Sequence, residues 1–582
     1  MSTKQEPARI HENPKVNRRK MLKYLGAAGT VAVAGTLMSS KIGLSKGQAV
    51  DHNSGIIREI AEEVVQDHLV DVWSDIRSRG INVLLPPAPL VGAKGDGIID
   101  DTEAFRQLAA LGLPLFVPKP EHFYKITGTI HLKNSMFGVN MPMIKMVDSD
   151  GSRDKILLQI ANYHGNGLVI EGLHLLSDYD GSSPPQGDAE YAHGVKIMSS
   201  KNVFVRNNKI ELMFGDGVMI GNSGELPRYS ENIHVTRNEI VNPRRGCVVV
   251  ISGKSIWIEN NKIEDNHSYV GSVILETDND SNEIMEDITI AGNKFSSNGN
   301  FIQIHSKNNE YHGIKILNNV GASSYFVRAT TRYDDSPRMM RDVEIINNIF
   351  YAGKGASRFL HLRWCPGVKV EDNIDYGTGA NGWTIANNEG IKIRRNDIMG
   401  TRPIAMALTQ ENMLIEHNYI KDSTVAEPYG AIRLTRFSGS IVRGNTIRTA
   451  KCGISCEDEN PVKDVLFDGN YIHATNRHIN LAGMPANNEI VITSTNVYIG
   501  GVADNAVFNG EKLKQWHSPI SNKSIIGVKW AEQQPTEGVW VQGDLVYRVH
   551  PSSGGYLGWV CVQSGDYAGT PPVFKQFGLI ES

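Results

Sequence analysis

Residues 195–211, VKIMSSKNVFVRNNKIE, and residues 218–241, VMIGNSGELPRYSENIHVTRNEIV, each contain three short apolar segments in succession. In the first stretch the segments cover residues 195–197, 203–205 and 209–211. Apolar and polar residues alternate within each segment, as in β-strands that bury one face. Similar sets recur as far as residue 467. The chain is therefore predicted to be a repeat protein of eleven windings, or rungs.

An asparagine follows the second segment of every rung and marks the repeat independently. These residues are Asn208, Asn238, Asn261, Asn293, Asn319, Asn348, Asn373, Asn396, Asn418, Asn445 and Asn470. Asparagine tolerates the left-handed backbone conformation of a tight corner, and its amide can bond to the asparagine of the next rung. Leucine-rich repeats and propellers do not fit, because the leucine consensus and the four antiparallel strands per blade are missing. We predict an all-β fold, a right-handed parallel β-helix.

Composition excludes several classes of protein. The 582 residues include 59 Lys and Arg against 63 Asp and Glu, so the net charge of −4 provides no basic field for nucleic acid. Five cysteines, an odd and small number, do not indicate a disulfide scaffold. Cys452 and Cys456 lack a second ligand pair for zinc, and no acidic cluster has the calcium spacing of an EF-hand. We therefore expect no metal and no cofactor.

The amino-terminal residues support two interpretations. Residues 17–23, NRRKMLK, precede a small apolar run to Met38 that resembles a twin-arginine export signal and is too short to span a membrane. Residues 1–50 are then either an export signal or a retained assembly stem. Between Ile56 and Ile76 apolar residues recur at three- and four-residue steps, which predicts an amphipathic helical neck over residues 51–90.

Two further segments carry a family resemblance. Residues 93–105, with Gly95, Asp96 and Asp101, resemble the opening of the pectate-lyase-like superfamily of right-handed β-helices, where this segment forms a capping strand and helix. We expect Asp96 and Asp101 to be turn and helix-cap carboxylates. The Gly-, Trp- and Tyr-rich residues 538–578 resemble the small β domain that closes many phage tailspike depolymerases.

Together these segments resemble a phage tailspike, a capsular polysaccharide depolymerase. The resemblance implies a homotrimer that binds a bacterial surface polysaccharide and is attached to the phage tail through its N-terminus. It implies a location on the virion tail, whereas use of the signal would give a secreted or periplasmic protein. The expected domains are residues 91–475 for the capped β-helix, 476–525 for a connector and 526–582 for a small C-terminal β domain.

The first segment of each rung carries the candidate site. Side chains between its buried residues project outward, and they form a face rich in groups that transfer protons or bind acids. The candidate catalytic residues are Glu276, Asp278, Asp216 and His305. The candidate substrate-binding residues are Arg245, Arg328, His361, Arg363, Tyr269 and Tyr325.

Hydrolysis of a glycosidic bond is the favoured chemistry. It needs a protonated and an ionised carboxyl group about 5 to 9.5 Å apart. Glu276 and Asp278 lie two positions apart, so a strand would place both on one face at roughly 6.5 to 7 Å. Asp216 lies two rungs away and is expected to complete an acidic cluster that raises one pKa.

Two alternatives remain open on the sequence. Elimination from a uronate-containing polymer needs a cation and a base, and His305, Arg328 and His361 supply these types. A sugar-binding adhesin without turnover needs only the long face of the solenoid. The assignments depend on strand register, because a shift of one residue turns every outward group inward.

Overall fold

The structure is a computed structural model of the whole chain. The residues that it describes are 80–148, 155–181, 191–265, 271–278, 282–306, 309–331, 340–353, 358–377, 382–386, 388–399, 404–407, 411–421, 429–458, 460–484, 488–493, 495–500, 528–567 and 569–581. The predicted signal or stem lies outside this description, as do residues 51–79 of the predicted helical neck. The described residues 80–90 contain no helix and include the strand Ile81–Asn82, so the helical neck is wrong for this part.

Strands of successive rungs pair in parallel and form three columns. The first-column strands are Ile130–His131, Leu158–Ala161, Val195–Met198, Val218–Gly221, Val248–Val250, Val273–Glu276, Asn300–Ser306, Tyr325–Thr331, Arg358–Arg363, Thr384–Ala386, Ile404–Ala407 and Ile432–Thr435. The second-column strands are Ile81–Asn82, Leu115–Val117, Met136–Gly138, Leu168–Glu171, Lys201–Arg206, Ser230–Thr236, Gly253–Glu259, Met285–Ala291, Tyr311–Leu317, Met340–Arg341, Glu344–Ile346, Lys369–Glu371, Lys392–Arg394, Leu414–Glu416, Ile441–Arg443, Val465–Asp468 and Ile490–Ile492.

The third column runs next to the first. Its strands are Tyr124–Ile126, Met143–Met146, His174–Leu176, Lys209–Glu211, Glu239–Val241, Lys262–Asp265, Lys294–Ser297, Val320–Ser323, Ile349–Ala352, Ile374–Tyr376, Asp397–Met399, Tyr419–Lys421 and Val497–Gly500. Two long strands, Thr446–Glu457 and Tyr471–Gly483, begin in the third column and continue into the first. The predicted parallel β-helix is therefore confirmed.

The core consists of apolar side chains that stack in register from rung to rung. In the first column Ile197, Ile220, Val250 and Leu275 occupy one such row and are fully buried. Each branched side chain in a row packs against its counterparts in the rungs before and after it. This burial of apolar surface is the main stabilisation available to a solenoid. A separate row in the same column stacks aromatic rings, as in the pair Phe326 and Phe359.

The asparagine ladder is present, and it continues one rung further than predicted, to Asn496. At each step the side-chain oxygen accepts hydrogen bonds from the backbone N–H and the side-chain amide of the preceding asparagine. Asn319, for example, accepts from the backbone N–H of Asn293 at 3.0 Å and from its side-chain amide at 2.9 Å. Each side-chain amide also donates to a backbone carbonyl of the preceding rung, as Asn293 does to Ile258 at 2.9 Å. The ladder thus satisfies polar groups that are buried inside the coil.

The predicted conformation of the ladder asparagines is wrong. The left-handed backbone belongs to the residue immediately before each of them, for example Asn207, Arg237, Gly292 and Asn318 with φ of 54°, 55°, 64° and 56°. That residue turns the corner at the surface, so the ladder asparagine is left to point its amide inward.

Alternating charges line the outer face of the second column. Glu371, Arg394, Glu416 and Arg443 lie in register on four successive strands. Their ion pairs measure 2.6, 3.6 and 2.7 Å in that order. Opposite charges directly across neighbouring strands stabilise a sheet, so this column is a structural face.

The N-terminal cap differs in detail from the prediction. One helix, α1 (Thr102–Ala110), packs at the start of the solenoid. Asp101 precedes it without a side-chain hydrogen bond to the helix, and its carboxylate instead accepts the backbone N–H groups of Lys94 and Gly95. Asp96 forms the expected turn by accepting from Ile98 and Ile99, both at 2.9 Å.

The solenoid extends past both expected boundaries. Ile81 already pairs with Leu115, ten residues before the expected start at residue 91. At the other end Tyr471 pairs with Val497, and Val497 lies inside the segment expected to be a connector. The solenoid therefore starts before residue 91 and continues beyond residue 475.

Residues 528–581 contain a separate small β domain. A four-stranded sheet comprises Val528–Ala531, Leu545–Arg548, Tyr556–Gln563 and Val573–Leu579, and Val539–Trp540 pairs with Gly565–Asp566. Its core holds Trp540 and Trp559, which are 6% and 5% exposed, so these rings pack inside the domain. Across the described ranges, no helix is long and apolar enough to cross a membrane.

Candidate functional site

The candidate site lies on the outer face of the first column. Glu276 ends the strand Val273–Glu276 and lies in register with His305 on the next strand. Both side chains are partly exposed. Thr277 is fully buried and the following Asp278 is exposed, so Glu276 and Asp278 project on the same outer side. The alternation places these two carboxyl groups and one imidazole on a common surface.

A buried tyrosine supports this surface from below. The hydroxyl of Tyr311 donates to the carbonyl of His305 at 2.5 Å and accepts the backbone N–H of Thr277 at 2.8 Å. Burial raises the pKa of Tyr311, and the negative charges of Glu276 and Glu283 raise it further. Tyr311 therefore stays protonated and ties the strand of Glu276 to that of His305.

Glu283 is a buried acid that the sequence analysis missed. It is 4% exposed, and its carboxylate accepts a hydrogen bond from the side-chain amide of Asn222 at 2.9 Å. It lies in the loop after the first column, where no repeat pattern marks it. Its contacts anchor this loop to an earlier rung beside Glu276.

A cationic cluster lies on the next strands of the same column. Arg328 is in register with His361, and Tyr325 is in register with Arg358. The guanidinium carbons of Arg328 and Arg358 lie 5.8 and 5.6 Å from the centre of the Tyr325 ring. These distances are within the range of cation–π contacts. Arg363 follows His361 by two positions on its strand and is exposed.

Arg358 holds the imidazole of His361 in place. One terminal nitrogen of its guanidinium donates to Nδ1 of His361 at 3.0 Å and to the hydroxyl of Thr384 at 2.8 Å. Because arginine can only donate, Nδ1 of His361 is the acceptor and carries no proton. The sequence analysis missed Arg358, since the apolar pattern of this strand starts at Phe359.

Burial and positive charge keep His361 neutral. Burial lowers the pKa of His361, and the charges of Arg358, Arg363 and Arg328 lower it further, to about 4. A histidine with this pKa is uncharged at neutral pH. Because Nδ1 accepts from Arg358, the one ring proton of His361 is on Nε2, which can donate a hydrogen bond. Three guanidinium groups thus surround one neutral imidazole.

Arg328 and Arg363 of the first column differ from the second-column arginines in their ion pairing. In the second column Arg394 and Arg443 are paired with carboxylates in register. Among the described residues, Arg328 and Arg363 form no ion pair with a carboxylate. Arg433, further along the first column, is paired with Glu457 at 2.7 Å, so the lack of a carboxylate partner among the described residues concerns Arg328 and Arg363 and not the whole column.

Asp216 does not join the exposed acidic residues. It is 1% exposed and lies 3.1 Å from Nδ1 of His193, and it accepts the backbone N–H of Gly246 at 2.9 Å. Burial opposes its ionisation, but the hydrogen bond and charge of His193, together with Arg245, lower the pKa of Asp216 overall. The expected acidic cluster of three is wrong in this respect, because Asp216 turns into the coil before its strand begins.

Two other candidates lie apart from the cluster. Arg245 is in the turn before the strand Val248–Val250, where its charge acts on Asp216. Tyr269 lies outside the described residues.

Within the described part of the chain, no group of three or more His, Cys, Asp or Glu side chains could hold a metal ion, and Cys452 and Cys456 are buried free thiols.

Comparison with known proteins establishes the type of fold. Residues 163–285 and 360–512 match the model of the right-handed β-helix region family. The chain is therefore a right-handed parallel β-helix. No curated protein matches the sequence significantly.

Solved structures that are similar to this chain come from phages and bacteria. A mutant tailspike protein of E. coli bacteriophage HK620, in complex with a pentasaccharide, is 12% identical with a TM-score of 0.52, and the match covers 88% of this chain and 92% of that one. The N-terminal fragment of bacteriophage phi29 gene product 12 is 17% identical, with a TM-score of 0.49 and coverage of 80% and 78%. The A-module of the Azotobacter vinelandii mannuronan C-5 epimerase AlgE6 is 15% identical, with a TM-score of 0.39 and coverage of 72% and 99%. At these identities the similarity concerns the fold.

Proposed function

We propose that this protein is a tailspike-type depolymerase that binds a bacterial capsular or exopolysaccharide along its first strand column and hydrolyses glycosidic bonds. The observation that carries the proposal is the outward placement of Glu276 and Asp278 on one surface, with His305 in register beside Glu276. A solenoid column presents equivalent positions every 4.7 to 4.9 Å, roughly the scale on which a polymer repeats its sugar units.

Each carboxyl group has a distinct role in this mechanism. Two residues of extended chain separate Glu276 and Asp278 by roughly 6.5 to 7 Å at the backbone, within the range for glycoside hydrolysis. Glu276, partly buried beside His305, is the candidate acid that protonates the leaving oxygen. Asp278, exposed, is the candidate ionised partner on the reacting sugar. His305 orients Glu276 from the adjacent strand.

Elimination is the second candidate, and the environment of His361 favours it. A lyase needs cations to neutralise a uronate carboxylate and a neutral base to remove the C5 proton. Arg328 and Arg363 are unpaired with carboxylates among the described residues and would bind the uronate carboxylate, and neutral His361 lies beside both. His305 is then the candidate base. These residues lie on the same column as Glu276, so both chemistries would use one face.

The assembly and location belong to the same proposal. We place the protein on a phage virion tail as a homotrimer that is attached through its N-terminus and acts in host attachment by binding the capsule. The HK620 tailspike, which has the same architecture and a bound pentasaccharide, supports this context. Light scattering of the full chain should give three times the mass of one chain.

Product analysis of purified capsular polysaccharides tests the reaction. New reducing ends with no absorbance near 235 nm would support hydrolysis, and an unsaturated product that absorbs there would support elimination. Binding of the polysaccharide without either product would contradict the proposed enzymatic activity and would support a sugar-binding adhesin.

A further inference from the structure

We propose that the first column contains an anion subsite, which binds the negatively charged group of an acidic sugar residue. The subsite consists of Tyr325, Arg328, Arg358, His361, Arg363 and Thr384. The inference rests on the proposed function, because it assumes that the polymer lies along the first column. It adds the chemical class of the substrate.

The geometry concentrates positive charge on a small area. Arg328 and His361 are directly opposite on adjacent strands, and Arg363 follows His361 on the same side of its strand. Adjacent strands lie about 4.8 Å apart, and side chains two positions apart lie about 7 Å apart. Two exposed guanidinium groups therefore flank one imidazole within reach of a single sugar residue.

The members of the subsite divide into fixed and free groups. Arg358 is engaged with the ring of Tyr325, with His361 and with Thr384, so it forms part of the scaffold. The guanidinium of Arg328 lies over the face of Tyr325, and the side chain of Arg363 forms no ion pair with a described carboxylate, so both retain donors for a ligand. A free guanidinium offers two parallel N–H groups that fit the two oxygens of a carboxylate, phosphate or sulfate.

The lack of a carboxylate partner for Arg328 and Arg363 among the described residues favours an anionic ligand. Like charges at close range repel, and a fold that only needed stability would pair them, as the second column does for Arg394 and Arg443. The described residues around Arg328 and Arg363 provide no carboxylate partner for either. An anionic group on the bound polymer would supply the missing negative charge.

Tyr325 gives the subsite an aromatic wall. The guanidinium groups of Arg328 and Arg358 both lie over its ring, and its centre is 6.5 Å from that of His361 with an interplanar angle of 72°. The ring fixes the direction of both arginines, so Tyr325 is a positioning residue for the charged pair.

Binding of defined polyanions tests the subsite. The probes are polygalacturonate and alginate as polycarboxylates, the same polymers after carboxyl reduction, dextran sulfate as a polysulfate, and neutral dextran, each at 0.15 M salt. Full-length wild type is compared with Arg328→Gln and Arg363→Gln, and with Arg448→Gln as a control for an exposed arginine on the third column.

We expect wild type and Arg448→Gln to bind at least one polyanion tenfold or more tightly than its neutral counterpart. Arg328→Gln and Arg363→Gln should each lose most of that difference while unfolding at the wild-type temperature. Preference for the polyuronates over dextran sulfate would identify a carboxylate, and the reverse would identify a sulfate or phosphate. If every polyanion binds no more tightly than its neutral counterpart, or if Arg448→Gln loses as much binding as Arg328→Gln, the subsite is overturned.

The two proposals fail separately in this design. Cleavage of a polysaccharide that none of the arginine variants affects would support the depolymerase and contradict the anion subsite. Tight binding that depends on Arg328 and Arg363, without cleavage of any polymer, would support the subsite and contradict the enzyme. No binding to any of the polyanions contradicts the subsite whatever the enzyme assay shows.

Discussion

The side-chain amide of Asn319 donates to the side-chain oxygen of Asn348 at 3.0 Å, and this bond links two rungs inside the coil. The same amide donates to the carbonyl of Ile290, and its oxygen accepts two hydrogen bonds from Asn293. Asn318, the residue before it, takes the left-handed conformation and faces outward. Two neighbouring asparagines therefore perform different tasks, one in the core and one at the corner.

Replacement of Asn319 by alanine should be strongly destabilising. It leaves two buried N–H donors of Asn293 without an acceptor and opens a small cavity, which together cost on the order of 3 kcal/mol. The midpoint of urea unfolding, followed by circular dichroism, measures the loss.

Asn318→Gly is the matched control. Glycine already occupies the equivalent corner position at residues 292, 444 and 469. Glycine adopts a positive φ without strain, so we expect a change within about 0.5 kcal/mol. Equal destabilisation by both variants would show that the ladder amides contribute nothing beyond the turn.

Glu276→Gln should abolish most of the cleavage activity. The amide cannot transfer a proton to the leaving oxygen, and general acid catalysis contributes roughly 10²- to 10⁴-fold. The initial rate of formation of reducing ends measures the loss. Glu286→Gln is the control, since Glu286 is paired with Lys254 at 3.0 Å on the second column and should keep wild-type activity. A Glu276→Gln enzyme with half or more of the wild-type rate would remove Glu276 from the mechanism.

His361 should make the fold less stable in acid. Its pKa is about 4 in the folded protein, below its ordinary value of 6.5, so the unfolded chain binds this proton first as the pH falls. Stability contributed by neutral His361 is complete above pH 6.5 and is lost as the pH falls towards 4. We expect the unfolding temperature of wild type to fall more between pH 7 and pH 5 than that of His361→Gln. Parallel curves for the two proteins would contradict this assignment.

Asp375 should make the fold more stable in acid, which is the opposite of the effect of His361. It is buried in the third column, where its carboxylate accepts the indole N–H of Trp383 and the backbone N–H of Gly377, both at 2.8 Å. Burial raises the pKa of Asp375 to about 6, against its ordinary value of 3.8, although both hydrogen bonds oppose the shift.

The folded state therefore holds the Asp375 proton more tightly than the unfolded chain does. Stability from this group is present below pH 3.8 and is lost as the pH rises through about 6. We expect acidification from pH 7 to pH 5 to stabilise wild type relative to Asp375→Asn, measured as the difference in their unfolding temperatures. A difference that is constant over this range would show that Asp375 does not titrate there.

The fold was largely predictable from residues close together in the chain. Alternation within residues 195–197 and the regular return of asparagine from Asn208 to Asn470 identify strand, corner and repeat, because each depends on local backbone geometry. The conformation of the corner was not predictable at this level. Asn207 and Asn208 are chemically identical, and only the three-dimensional path of the chain decides which one turns and which one points inward.

The candidate site shows the same division. Alternation alone places Glu276, Arg328 and His361 on an outer face, since side chains on a strand must alternate. Only the tertiary structure brings Arg358 onto His361 and turns Asp216 into the coil. These contacts join residues from different strands and turns, and their positions depend on rung length and loop path, which no local pattern encodes. The sequence by itself determined a solenoid with a polar outer column, and the stacking of its rungs decided which of those polar groups meet.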